Sequence, residues 1–134
     1  MDEAERKQMA RKHVFVVNGA AEFLDLLREL LEEEQYNVTT TNFVPLTFDQ
    51  IAALQPDLLM IDLAVGIHAG WDLLERLARE ASTNQIPIIV FSTSPEILEK
   101  AQSQPERYGG QRFLGKPVDL DEVIKSIEEV IGKA

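Results

Sequence analysis

The sequence predicts an α/β domain in which a mostly parallel sheet is covered by helices on both faces. Three observations carry that prediction. Short runs of β-branched and aromatic residues recur along the 134 residues, each followed by a stretch with the apolar spacing of an amphipathic helix. Two of these runs, Leu58-Leu59-Met60-Ile61 and Ile86–Phe91, are almost continuously apolar, as strands buried on both faces are. The first of them ends abruptly in an acid, Asp62, near mid-chain.

Taken in order, Met1–Lys12 is mixed in charge and short of large apolar residues, and reads as an N-terminal extension. The domain proper is expected over residues 13–134, a length that suits one core. His13–Val17 is the first strand, broken by Asn18-Gly19. Ala21–Glu34 places Phe23, Leu24, Leu27, Leu30 and Leu31 on one helical stripe. Tyr36–Thr41 is the second strand, Asn42–Phe48 a loop, and Asp49–Leu54 a short helix stopped before Pro56. Asp57–Asp62 is the third strand and Leu63–Gly70 a loop. Trp71, Leu74, Leu77 and Ala78 then give a third helix its apolar face.

Ile86–Phe91 is the fourth strand. Ser94-Pro95 fits the N-cap and first position of a fourth, short helix closed by Pro105. Arg112–Leu114 is the fifth strand. Asp119-x-x-Glu122 resembles a capping box and opens a last helix striped by Leu120, Val123, Ile124, Ile127, Val130 and Ile131. Five βα repeats predict a doubly wound sheet with right-handed crossovers. Connections of this length suit the flavodoxin-like strand order 2-1-3-4-5, with the switch point between strands one and three, beside Asn18 and Asp62.

Composition narrows the function classes. A net charge of −10 disfavours non-specific binding to nucleic acid. The chain has no Cys, which excludes disulfide and thiol chemistry and fits a cytoplasmic setting. No apolar run is long enough to span a membrane, and no signal-peptide core is expected at the N-terminus.

Asn18, Asp62, Ser92 and Lys116 fall at or just past the ends of buried strands, and in a parallel sheet those ends converge on one rim. An acid, a hydroxyl and a cation together there suit phosphoryl transfer. The carboxylate would be the nucleophile, the lysine would pair with phosphate charge, and the hydroxyl would bond a phosphoryl oxygen. Taken singly, each residue has a plainer reading: Asp62 as an acid capping a turn, Lys116 as a solvated lysine, Asn18-Gly19 as a tight turn. Ser92 competes with its neighbour Thr93. His68, Trp71 and Glu32-Glu33-Glu34 read as an exposed loop histidine, a packing residue at a helix start and a solvated helix end.

The pieces Val-Val-Asn-Gly at 16–19, Pro-Asp-Leu-Leu-Met-Ile-Asp at 56–62, Gly70, Pro-Ile-Ile-Val-Phe-Ser at 87–92 and Phe-Leu-Gly-Lys-Pro at 113–117 follow one another in a fixed order. With them, His13 to Ile131 resembles a receiver domain of the bacterial two-component response regulators. The resemblance implies Asp62 as phosphoacceptor, Ser92 as switch hydroxyl, Lys116 as phosphate-pairing lysine and Phe113 as switch aromatic. The Lys116-Pro117 bond matches one that is often cis in the family.

The sequence also departs from the family's pattern. Two adjacent acids after the first strand normally hold Mg²⁺; here those positions are Asn18 and Gly19. Asp62, Asn18 and the backbone carbonyl of Ala64 remain as oxygen donors, so the Mg²⁺ site is expected to be weak or absent. The loop Gly66–Gly70 and the stretch Tyr108-Gly109-Gly110 also differ from the family's usual residues.

The resulting expectation is a single-domain response regulator in a phosphorelay, not an enzyme. A histidine kinase or phosphotransfer protein would donate to Asp62. The change would pass through Ser92 and Phe113 to the face of helix four, strand five and helix five, where a protein target or a second copy binds. The alternative is a pseudo-receiver, an interaction module working without phosphate. Flavin binding is disfavoured because Asn18–Glu22 lacks a hydroxyl- and glycine-rich phosphate loop. A haloacid-type phosphatase is disfavoured because Ala64 stands where a second acid is needed.

Overall fold

In the computed structural model, described for residues 2–3, 11–17, 21–42, 46–64, 66 and 68–132, the strands are β1 (His13–Val17), β2 (Asn37–Thr41), β3 (Leu58–Asp62), β4 (Ile88–Ser92) and β5 (Arg112–Gly115). The helices are α1 (Ala21–Glu33), α2 (Thr47–Leu54), α3 (Ala69–Arg79), α4 (Pro95–Ser103), a single turn α5 (Pro105–Tyr108) and α6 (Leu120–Ile131). All four strand pairings are parallel, in the order β2-β1-β3-β4-β5. The flavodoxin-like doubly wound sheet expected from the sequence is therefore the fold.

The continuous apolar runs are explained by a core on each face. Along β1, β3 and β4 alternate side chains go to opposite sides. Phe15, Val17, Leu59, Ile61, Ile88 and Val90 meet α2 and α3 through residues such as Ile51, Leu74 and Leu77. Val14, Val16, Leu58, Met60, Ile89 and Phe91 meet α1 and α6 through Leu27, Leu31, Val123 and Ile127. Each such side chain, taken fully out of water, contributes about 1.5–3 kcal/mol. The polar edge strand β2, Asn-Val-Thr-Thr-Thr, is only half-buried.

Several boundaries shift, each for a local reason. β2 starts at Asn37 because Tyr36 still belongs to the end of α1: Gln35 is left-handed (φ 72°) and the Tyr36 N–H donates to the Leu31 carbonyl at 3.0 Å. β3 starts at Leu58, one residue late; Asp57 just before it is tied to the start of β1, its N–H donating to the His13 carbonyl at 2.8 Å and its carboxylate accepting the His13 N–H at 2.7 Å. β4 starts two residues late and ends one later than expected, at Ser92. Ile86 is tied into a turn by its N–H to Thr83 O at 3.0 Å, and Pro87 has no N–H to give.

α2 starts at Thr47, two residues early, so the expected loop over 42–48 ends sooner; α3 starts at Ala69 rather than Trp71. Ser94 caps α4 as expected, accepting the Ile97 N–H at 3.3 Å, and Asp119 caps α6 by accepting from Asp121 N–H at 2.9 Å. Pro105 does more than close α4: it is the first residue of α5, which the sequence did not announce. Gly109, at φ 72°, ends that turn.

Candidate functional site

Asp62 is the last residue of the central strand β3, in register with Phe91 of β4, and is 8% exposed. It sits beside the point where the strand order reverses, between β1 and β3, where open α/β sheets bind ligands. Lys116 comes from the other side of β4. It follows directly on β5, its N–H donates to the Ser92 carbonyl at 2.9 Å, and its peptide bond to Pro117 is cis. Its ammonium donates to Oδ2 of Asp62, a half-buried ion pair with side-chain exposures of 18% and 11%.

Ser92 is fully buried at the end of β4, whereas Thr93 is exposed. The Ser92 hydroxyl donates to the Leu63 carbonyl at 2.7 Å and accepts the Ser94 N–H at 3.2 Å. A serine has a single O–H to give, so it bonds another oxygen only by releasing Leu63. Phe113, on β5 opposite Val90, is half-buried. Its ring lies against Gly110 so closely that a Cβ there would stand 2.5 Å from Phe113 Cζ.

Ala64 is half-buried two residues past Asp62. Asn18 and Gly19 lie outside the described residues. Among the described residues no group of three or more His, Cys, Asp or Glu side chains is arranged to hold a metal. Asp62 and a backbone carbonyl with an ammonium already on the carboxylate are a poor donor set for Mg²⁺, which prefers several hard, charged oxygens.

The residues set aside in the sequence fall where expected. His68 is exposed at the start of α3 and makes no side-chain cap bond. Trp71 is half-buried, 4.8 Å from the Tyr108 ring centroid, with Lys100 over it at 4.5 Å. Glu32, Glu33 and Glu34 are exposed. Two residues escaped sequence reasoning. Phe23, counted only as part of a stripe, carries the Lys116 ammonium 4.2 Å from its ring centroid. Gly110 carries the Phe113 ring. An aromatic in the first turn of the helix after strand one was the available signal for Phe23; Gly110 was marked only as part of the Tyr108-Gly109-Gly110 departure from the family's usual residues, with nothing to tie it to Phe113.

At the opposite, amino edge of the sheet a cleft of about 660 Å³ is lined by Arg11, His13, Glu32, Tyr36, Thr39 and Asp57 among others. His13 Nε2 lies 2.7 Å from Thr39 Oγ1; burial holds this imidazole below its ordinary value, with Asp57 opposing the shift. The Tyr36 hydroxyl donates to the Gly132 carbonyl at 2.9 Å, and burial, then Glu128 and Glu34, push its pKa up.

The family model for the response regulator receiver domain matches residues 14–128. The chain belongs to the receiver-domain family of response regulators. Among curated relatives it is 31% identical over 78 residues to the DNA-binding dual master transcriptional regulator RpaA of Synechocystis, covering 58% of this chain and 32% of that protein. It is 29% identical over 77 residues to protein PilH of Pseudomonas aeruginosa, covering 58% of this chain and 62% of that one. The alignments thus span less than two thirds of either relative.

Among solved structures, a sensor protein from Polaromonas sp. JS666 aligns with a TM-score of 0.78 at 23% identity, covering 90% of this chain and 96% of that one. The receiver domain of a sensor histidine kinase from Pseudomonas aeruginosa, solved with a magnesium ion in its active site cleft, aligns with a TM-score of 0.70 at 16% identity, covering 92% and 100%. Receiver domains are generally non-enzymatic signalling modules that typically bind Mg²⁺ and work with histidine kinases or phosphotransfer proteins and with downstream effectors. Among the described residues of this receiver no helix is long and apolar enough to cross a membrane.

Proposed function

We propose that this receiver accepts a phosphoryl group on Asp62 and passes the change on by protein contact, as a single-domain response regulator. The observation that carries this reading is the Asp62 carboxylate at the end of the central strand with the Lys116 ammonium on its Oδ2. An oxygen of Asp62 forms the bond to phosphorus. The bond between phosphorus and the donor, a phosphohistidine or a small phosphodonor, breaks and its electron pair leaves with the donor, which takes up a proton. Lys116 meets the negative charge on the transferred group. Ser92 exchanges Leu63 O for a phosphoryl oxygen, and Phe113 is the aromatic through which the face of α4, β5 and α6 responds. That face is where a protein target, or a second copy, is proposed to bind, in the cytoplasm and with no nucleic-acid contact.

Mg²⁺ binding is proposed to be weak or absent, since Asn18 and Gly19 bring no carboxylate. The same pair of residues favours one competing reading, a pseudo-receiver that binds its partner unphosphorylated. The separating experiment is intact mass after incubation with a small phosphodonor, with and without Mg²⁺, for wild type and Asp62→Ala. One phosphoryl adduct on the wild type alone supports the acceptor. No adduct, with partner binding unchanged by Asp62→Ala, establishes the pseudo-receiver.

A further inference from the structure

We propose that Phe23 is a positioning residue for Lys116, its ring being the platform that keeps the lysine ammonium over the acceptor carboxylate. The geometry is independent of the phosphoacceptor reading, but the consequence for catalysis rests on it. A lysine head sits on a flexible four-carbon stem, and a single ion pair to one carboxylate oxygen leaves the direction of that stem open. Lys116 and Asp62 form one such pair, with side-chain exposures of 18% and 11%. The face of an aromatic ring within about 6 Å adds a second, directional attraction. Phe23 supplies it at 4.2 Å.

The ring is itself held. Phe23 stands edge-on to Phe91, with centroids 6.2 Å apart and planes at 81°, an arrangement in which one ring's positive edge meets the other's negative face. Phe91 is 1% exposed and precedes Ser92 in β4. The contacts therefore run from the sheet core through Phe91 and Phe23 to Lys116 and Asp62, joining α1, β4, β3 and the segment just past β5 at the site.

This placement matters more here than where two acids bring a metal. Among the described residues no acidic cluster is available to hold one. The charge of the transferring phosphoryl group then falls chiefly on Lys116, and an ammonium fixed beforehand stabilises it without reorganisation. A leucine at position 23 keeps apolar bulk but has no ring face. Tyrosine keeps the face.

The test compares wild type, Phe23→Leu and Phe23→Tyr by two readouts. In proton NMR the Lys116 ε-methylene of the wild type is expected to be shifted upfield by the ring, to return to an ordinary lysine position in Phe23→Leu, and to stay shifted in Phe23→Tyr. Labelling of Asp62 by a small phosphodonor is expected to slow about two- to fivefold in Phe23→Leu, the equivalent of 0.5–1 kcal/mol at 1.36 kcal/mol per tenfold, and to recover in Phe23→Tyr. An ordinary Lys116 position in the wild type overturns the proposal, and so does equal labelling of all three proteins. If the wild type takes no label, the phosphoacceptor reading falls, while the methylene shift still decides whether Phe23 holds Lys116.

Discussion

Replacing Gly110 by alanine should turn the Phe113 ring outward. Gly110 is not in the left-handed region, so its backbone accepts a side chain without strain. Space is the obstacle: the new methyl would stand 2.5 Å and 2.7 Å from two Phe113 ring carbons and 3.3 Å from Val90 Cγ2. Carbons pack at about 3.5–4.0 Å, so the ring must retreat by roughly 1 Å. Holding it in place costs about 1–3 kcal/mol of overpacking. Swinging it out sacrifices the burial of a ring that is already half-exposed, on the order of 1 kcal/mol. Alanine returns about 0.4–1 kcal/mol by restricting the unfolded chain. The outward swing is the less costly route, and the net stability change is expected to stay within about 1 kcal/mol. Urea unfolding measures the stability, and nuclear Overhauser contacts between the Phe113 ring and the Val90 methyls report the swing. Unchanged ring contacts at unchanged stability would refute the steric reasoning.

Three further outcomes follow from other contacts. Lys116→Met takes away the ammonium bonded to Asp62 and should destabilise the domain by about 1.5–3 kcal/mol, the range for bonds to charged groups, read from the urea midpoint. Tyr36→Phe removes the hydroxyl bond to Gly132 O and should cost about 0.5–1.5 kcal/mol; it also leaves untouched the labelling of Asp62 at the other end of the sheet. His13 has a folded pKa below its ordinary value of 6.5, so the fold favours neutral imidazole. Its contribution is full above 6.5 and is lost as pH falls through the lowered folded value, because the unfolded chain takes the proton first. His13→Gln should flatten that part of the stability-pH curve relative to wild type, and an unchanged slope would contradict the buried neutral form.

The sheet was legible because its signal is dense. Leu58–Ile61 and Ile88–Phe91 are buried from both faces, so their apolar runs could not belong to half-wet strands. The acid at position 62, the hydroxyl at 92 and the lysine at 116 were legible as strand-end residues, and parallel topology brings such ends together. What was not legible depends on contacts distant in sequence. Phe23 has the same helical spacing whether its ring packs on a leucine or under an ammonium. Gly110 looks like any loop glycine until Phe113 is laid on it. The α5 turn was missed because Pro105 can end one helix and begin another. Tyr36 has strand propensity, but its hydroxyl reaches the end of α6 instead.

If Asp62 is the residue that takes the phosphoryl group, the new bond can be located chemically. Borohydride reduces an aspartyl phosphate to homoserine, which peptide mass spectrometry can place in the sequence. After treatment with a small phosphodonor, this conversion is expected at Asp62 and at no other acid. Conversion at any other carboxylate, or none at any position under conditions that leave the domain folded, would contradict it.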